Sequence, residues 1–377
     1  MKISKEHEEF RKKIREFAEK EIEPKAKELD EKGQFPFDTV KKLGQMGIMG
    51  MVAPKEYGGS GHDTLSYSIA VEEISRVCGS TGITVAAHNS LGVYPIYLFG
   101  NEQQKKKYIP DLASGKKLGS FGLTEPDAGS DAAGTKTTAV LDGDFWVING
   151  SKCFITNASV GETFVITAVT DKSKGYKGIS SFILEKGTKG FTIGKKENKM
   201  GLRGSDTATL ILDEVRLPKD NLLGKPGEGF KQFMITLDGG RISIGAMALG
   251  IAQGAFDKAL DYAKQREQFG KPISDFQAIQ WKLSDMATQL EAARHLIYHA
   301  SKLKDKGERF IKESAMAKMY ASEVGRFVTY QAIQIFGGYG YMSEYPVERY
   351  MRDVKLCEIG EGTSEIQRIV IARELLK

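Results

Sequence analysis

The segment EIGEGTSEIQ, residues 358–367, sets one carboxylate, Glu361, between Gly360 and Gly362, directly ahead of an expected helix. Flanking glycines let backbone and substrate approach closely, and a carboxyl group packed among apolar atoms has its pKa raised toward neutrality. An acid so placed is a candidate general base. A plainer reading accounts for the same residues: Ser364 and Gln367 fit an S-x-x-Q capping box, and the glycines make the turn. Two further stretches carry polar groups. FGLTEPDAGSD, residues 121–131, gathers Thr124, Asp127, Gly129 and Ser130 in a loop with many exposed backbone N–H groups, or simply joins two domains. LDGGRISIG, residues 237–245, reads as a helix start opened by Asp238, with Arg241 on the surface.

Absent motifs narrow the chemistry. The chain has no GxSxG, no HExxH, no P-loop and no GxGxxG after a strand; GGYG at 337–340 ends a helix instead of starting one. His295 and His299 stand four apart with no third ligand nearby, so they read as helix surface and no metal site is expected. Three scattered cysteines, Cys78, Cys153 and Cys357, form no CxxC pair and imply a reducing compartment. Lys and Arg number 54 against 49 Asp and Glu, a formal net charge of +5. The basic residues alternate with acids, as in EHEEFRKKIREFAEKEIEPKAKELDEK, and a basic run such as Lys105–Lys107 is only three residues long. That pattern is a solvated helix face and argues against a nucleic-acid partner, while the positive balance favours a polyanionic small molecule. No apolar run long enough to span a membrane and no signal-peptide core stand out, so a soluble, intracellular protein without membrane insertion is expected.

Three zones must position these residues. Residues 1–117 read as helices joined by Gly/Pro turns, with Phe10, Ile14, Phe17 and Ile22 on one face of the first. Residues 118–225 switch to period two: DFWVINGSKCFITNA, ETFVITAVT, GISSFILEKGTKGFTIGKK and TATLILDEVRLP are β-rich runs separated by DG, NG and GTKG turns. Residues 226–377 return to the helical period in three stripes. These are Ile244, Met247, Ala248, Ile251 and Ala255; Phe276, Ile279, Leu283, Met286, Leu290 and Ala293; and Ala317, Ala321, Val324, Val328, Ala332 and Ile335. The expected fold is α+β and mainly α: an N-terminal helical domain, a middle β-barrel-like or sandwich domain and a C-terminal four-helix bundle.

In this order and at these separations, the three polar stretches resemble the acyl-CoA dehydrogenase family, closest to its short-chain (butyryl-CoA) branch. SKCFITNA, REQFGKPISDFQAIQ, QAIQIFGGYGY and EGTSEIQRIVIARELL extend the resemblance over essentially the whole chain. The resemblance implies an FAD flavoprotein of fatty acid β-oxidation that converts an acyl-CoA to its trans-2-enoyl-CoA. It also implies a homotetramer that passes electrons to electron-transfer flavoprotein, in the cytoplasm, or in the mitochondrial matrix for a processed eukaryotic chain. FAD held without a dinucleotide fingerprint explains the missing GxGxxG.

Carried over position by position, Glu361 corresponds to the base that removes the α-proton while a hydride leaves the β-carbon for flavin N5. The resemblance gives the base's own N–H, with a flavin ribityl hydroxyl, to the thioester oxygen. Phe121, Leu123, Thr124, Phe154 and Thr156 correspond to flavin-lining positions, and Thr363 and Glu365 to flavin contacts beside the base. Ser130 corresponds to a contact with the CoA and cofactor, and Asp238, Arg241 and Gly362 to substrate contacts. Arg266, Phe269, Gln277, Gln334 and Gly338 correspond to positions that reach the FAD of a neighbouring subunit.

Three positions bear on specificity or depart from the pattern. Gly240 stands where the isovaleryl-type branch carries its base, which leaves that role to Glu361. Gly360 replaces the tyrosine usual in short- and medium-chain relatives, freeing room for a branched or alicyclic acyl group. Phe154 stands where many relatives have tryptophan, and an aromatic face survives. Two other readings compete: an acyl-CoA oxidase, disfavoured because the chain lacks that group's long C-terminal extension, and a non-catalytic acyl-CoA-binding protein on the same fold, disfavoured by the intact Glu361 and Arg241.

Overall fold

The computed structural model describes residues 3–377. The amphipathic N-terminus forms α1 (Lys5–Phe17), capped by Ser4, whose hydroxyl accepts a hydrogen bond from His7 N–H. α2 (Glu23–Lys32), α3 (Phe37–Gln45), α4 (Thr64–Ser75), α5 (Gly79–Ala87), α6 (Tyr94–Phe99) and α7 (Glu102–Ala113) follow. α4 is buried along almost its whole length, including Glu72 and Glu73, whose charges are met by Arg294, Arg11 and Arg15.

The strands that follow are β1 (Gly119–Gly122), β2 (Thr138–Asp142), β3 (Phe145–Thr156), β4 (Thr163–Val169), β5 (Ile179–Glu185), β6 (Phe191–Lys196), β7 (Thr207–Pro218) and β8 (Leu222–Leu223). They make one mixed eight-stranded sheet in the order β6-β7-β3-β2-β4-β5-β8, with β1 lying parallel to β4. β7 alternates as a half-buried strand should: Ala208, Leu210 and Leu212 point into a core shared with Trp146, Phe164 and Phe182. β4 and β5 are buried on both faces and accordingly read as continuous runs, TFVITAV and ISSFILE. The register of β3 against β7 slips between Lys152 and Ile155, an irregularity that matters below.

The bundle comprises α8 (Gly229–Gln265), α9 (Gln277–Asp305), α10 (Ile311–Phe336), α11 (Val347–Val354) and α12 (Ser364–Leu375). The three sequence stripes pack inward except for Phe276, which precedes α9 and stands half-buried against exposed Phe269; α10 stops at Gly337, whose φ of +60° is open to glycine. Two expectations need correction. Asp238 does not open a helix; α8 already begins at Gly229. And α8 does contain an apolar window long enough to cross a membrane, with mean hydropathy 1.2; 78% of that window is buried inside the protein, so it serves as the central core helix. Phe233, near its start, stacks on Phe121 at 3.8 Å between ring centroids and ties the sheet to the bundle.

Candidate active site

Glu361 sits in the five-residue connection, residues 359–363, between α11's trailing 3₁₀ turn, Lys355–Glu358, and α12. Its φ is +53° and that of Gly362 is +94°. A non-glycine residue in this region is strained and needs support from its surroundings. The support is visible: Gln367 Nε2 donates to Gly362 O at 2.8 Å and Glu361 O at 3.4 Å, and Lys318 Nζ donates to Gly362 O. The capping expectation is half right, since the N-cap is Thr363, not Ser364; its hydroxyl accepts from Ile366 N–H, and Gln367 braces the turn. Among the described residues, the Glu361 N–H has no hydrogen-bond partner.

The turn aims the carboxylate inward. Both Glu361 oxygens are buried and unpartnered, in contact with α8. A Cβ at Gly240 would lie 2.0 Å from Glu361 Oε2, so any side chain there would push the carboxylate from this seat. Burial pushes the Glu361 carboxyl up to about 7, against the opposing pull of Lys318 and Arg241. Arg241 is not on the surface as its sequence suggested; it is buried, with Nη1 donating to Asp238 Oδ1 at 2.5 Å and Nε lacking a partner. Burial raises Asp238 and lowers Arg241 from their ordinary values. Lys318 had no motif to mark it. It belongs to a second buried stripe on α10 with Ser314, Ser322, Gly325 and Thr329, and a lysine among small residues at that spacing was the available signal.

The loop after β1 is anchored by a buried pair that motif reading passed over. Lys152 Nζ, fully buried, donates to Glu125 Oε1 at 2.7 Å, Thr167 Oγ1 at 3.0 Å and Thr135 Oγ1 at 3.1 Å. Glu125 Oε2 accepts from Lys136 N–H at 2.6 Å. Cys153 N–H donates to Thr124 O at 2.8 Å, which sets the 121–124 segment beside the irregular part of β3. There Phe154 takes a φ of +59° and stands 67% exposed, next to part-exposed Thr156. Bulges of this kind re-aim side chains near sites. The bond to Thr124 thus brings the loop beside Phe154 and Thr156, whereas Phe121 is buried with its ring stacked on Phe233 and Leu123 is part-buried. Ser130 lies exposed further along the loop.

A second group of predicted residues lies elsewhere. From Gly240 to the end of α8 is about 37 Å at 1.5 Å per residue, and Arg266 caps that far end. Its guanidinium lies 5.5 Å from the Tyr339 ring centroid, and Phe269 is 95% exposed with φ +54°. Gln277, Gln334 and Gly338 are exposed as well. His295 and His299 are exposed on α9, and among the described residues no group of three potential ligands could hold a metal.

Family models match the chain in three consecutive parts: the acyl-CoA dehydrogenase N-terminal domain over residues 4–116, the middle domain over 120–215 and the C-terminal domain over 227–376. A probable acyl-CoA dehydrogenase of Bacillus subtilis is 57% identical, across 100% of this chain and 99% of its own. The structure of butyryl-CoA dehydrogenase from Megasphaera elsdenii superposes with a TM-score of 0.98 at 48% identity, covering 100% of both chains. A chain from the structure of the electron transferring flavoprotein of Acidaminococcus fermentans superposes at 0.99 with 52% identity, covering 100% of this chain and 99% of that one.

Proposed function

The chain belongs to the acyl-CoA dehydrogenase family, and from that premise we propose that it oxidises a short-chain acyl-CoA to the trans-2-enoyl-CoA with Glu361 as the base. The observation that carries the reading is the buried, unpartnered Glu361 carboxylate seated on Gly240. Ionised, it accepts the α-proton; its elevated pKa makes it a stronger base than an exposed glutamate. The free Glu361 N–H donates to the thioester carbonyl oxygen, stabilising the negative charge that builds there as the α-proton leaves. When bound, FAD supplies the two-electron oxidant that takes the β-hydride.

The chain's own part in holding these groups is divided by region. Phe121, Leu123, Thr124, Phe154 and Thr156 line the flavin, with Thr363 and Glu365 beside it and Ser130 toward the CoA. Asp238, Arg241 and Gly362 contact the substrate. Arg266, Phe269, Gln277, Gln334 and Gly338 serve the flavin of a neighbouring copy, which makes the working unit a homo-oligomer, by resemblance a tetramer. The three functional units are residues 1–117, 118–225 and 226–377. Electrons leave to electron-transfer flavoprotein, a reading supported by the likeness to the Acidaminococcus chain. The expected setting is the cytoplasm or, in a eukaryotic cell, the mitochondrial matrix.

Gly360 extends the reading to branched or alicyclic acyl groups. The nearest atoms to a Cβ there belong to Leu356, at 3.4 Å or more, so the glycine is not imposed by crowding at that atom and leaves space where a ring could stand. The test of the function is an anaerobic titration of the purified holoenzyme with butyryl-CoA. Bleaching of the visible flavin band is the expected result; a colourless protein that takes up no FAD would overturn the assignment.

A further inference from the structure

Lys318 is a fully buried lysine, and such residues are rare unless paired with an acid. Among the described residues it has no ion pair, and the acceptor for its ammonium is Gly362 O, the carbonyl immediately after the base. We propose that Lys318 is the positioning residue of this site: its ammonium clamps the left-handed turn that aims Glu361 and supplies the positive charge beside which that carboxylate ionises. The inference rests on the reading of Glu361 as the base.

The charges around Glu361 separate this role from a general one. α8 presents Arg241, but that guanidinium is already paired with Asp238. α4 presents the Tyr67 phenol, which hydrogen-bonds to Ala86 O and carries no positive charge. The 3₁₀ turn before the base presents Cys357, a buried thiol, and Glu358, which is paired with Arg326 and Lys355. α10 presents Lys318. Of the two cations whose charge reaches Glu361, then, Lys318 is the one not engaged by another carboxylate. Burial lowers Lys318 to about 8, against the pull of Cys357 and Glu361, and the lysine's charge in turn draws Glu361 down from the higher value that burial alone would give.

The measurement is the second-order rate of anaerobic flavin reduction by butyryl-CoA across pH, made on the holoenzyme, K318M, K318Q and K318R. This rate reports the ionisation of the free enzyme's base. Removing a cation beside a carboxylate disfavours its ionised form, so the acid limb should move upward by about one pH unit or more in both neutral variants. K318Q, which keeps a donor for Gly362 O, should hold a higher plateau rate than K318M, and K318R should return the limb toward that of the parent. A uniform rate loss with an unmoved limb would overturn the proposal and reduce Lys318 to a structural anchor. Loss of flavin from both neutral variants with K318R intact would overturn it too, because the lysine would then support the fold and not the base. E361Q distinguishes the two levels: a near-normal E361Q defeats the base assignment and this proposal together, whereas an inactive E361Q beside an unmoved K318Q limb defeats this proposal alone.

Discussion

Glu361 holds a left-handed backbone conformation that costs a glutamate about 1–3 kcal/mol. The strain is tolerated because Gln367 and Lys318 grip the carbonyls of the turn, and the return is a carboxylate aimed at α8 with its N–H left free. At this scale the neighbour Gly360 sets the shape of what can approach. Its φ is not left-handed, and the atoms nearest an added Cβ, those of Leu356, lie at ordinary contact distance, so Gly360→Tyr should fold and keep FAD. We expect it to lower kcat/KM for isobutyryl- and cyclohexanecarboxyl-CoA by at least about tenfold relative to butyryl-CoA, the loss of roughly 1.4 kcal/mol of fit. Equal use of branched and straight substrates by the variant would refute the role given to Gly360.

The loop after β1 and the irregular stretch of β3 act as one element because Lys152 and Glu125 join them from within. Breaking a buried pair from one side leaves a stranded charge, so Lys152→Met should cost about 3–5 kcal/mol of stability at neutral pH. The pH dependence follows from the pair. Glu125 is depressed to about 2, with burial opposing and Lys152 and the Thr135 and Thr137 hydrogen bonds prevailing. Its contribution is therefore present above the unfolded carboxylate value and lost as pH falls through about 2. Denaturant unfolding should show the gap between parent and variant narrowing from about pH 4.5 downward, and a gap constant to pH 2 would contradict this.

Much at the level of elements was legible in advance: the runs from DFWVINGSKCFIT to TATLILDEVRLP are β3 to β7, and the stripes on α8, α9 and α10 point to the core apart from Phe276, which lies just ahead of α9. The start of α8 was not, because no capping side chain marks Gly229 and the Gly239–Gly240 pair looks like a break in a helical pattern. Glu361 could be singled out by its glycines, but the left-handed turns at Glu361 and Phe154 left no trace in residue type. Arg241 looked like surface because a charge suggests water, and only its contact with Asp238 explains its burial.

At the scale of the whole molecule, α8 acts as a ruler. Gly240 receives the base, Phe233 about 10 Å away binds the sheet, and Arg266 ends the helix about 37 Å away. On the proposed division of roles, Arg266 and Phe269, at the end of the helix away from Glu361, serve the flavin of another copy. Phe269 is 95% exposed, so Phe269→Asp should leave the fold of each chain intact. We expect it to lower the flavin content per chain and shift the protein toward smaller species on gel filtration. Full flavin content in an isolated single chain would show that each copy holds its cofactor alone.

The most direct test of the account is E361Q in anaerobic mixing with butyryl-CoA, followed at the flavin band beside the parent enzyme. Loss of the base should slow bleaching by about 10²- to 10⁴-fold while flavin content and acyl-CoA binding stay near normal. Bleaching at the parent rate would show that Glu361 does not take the α-proton.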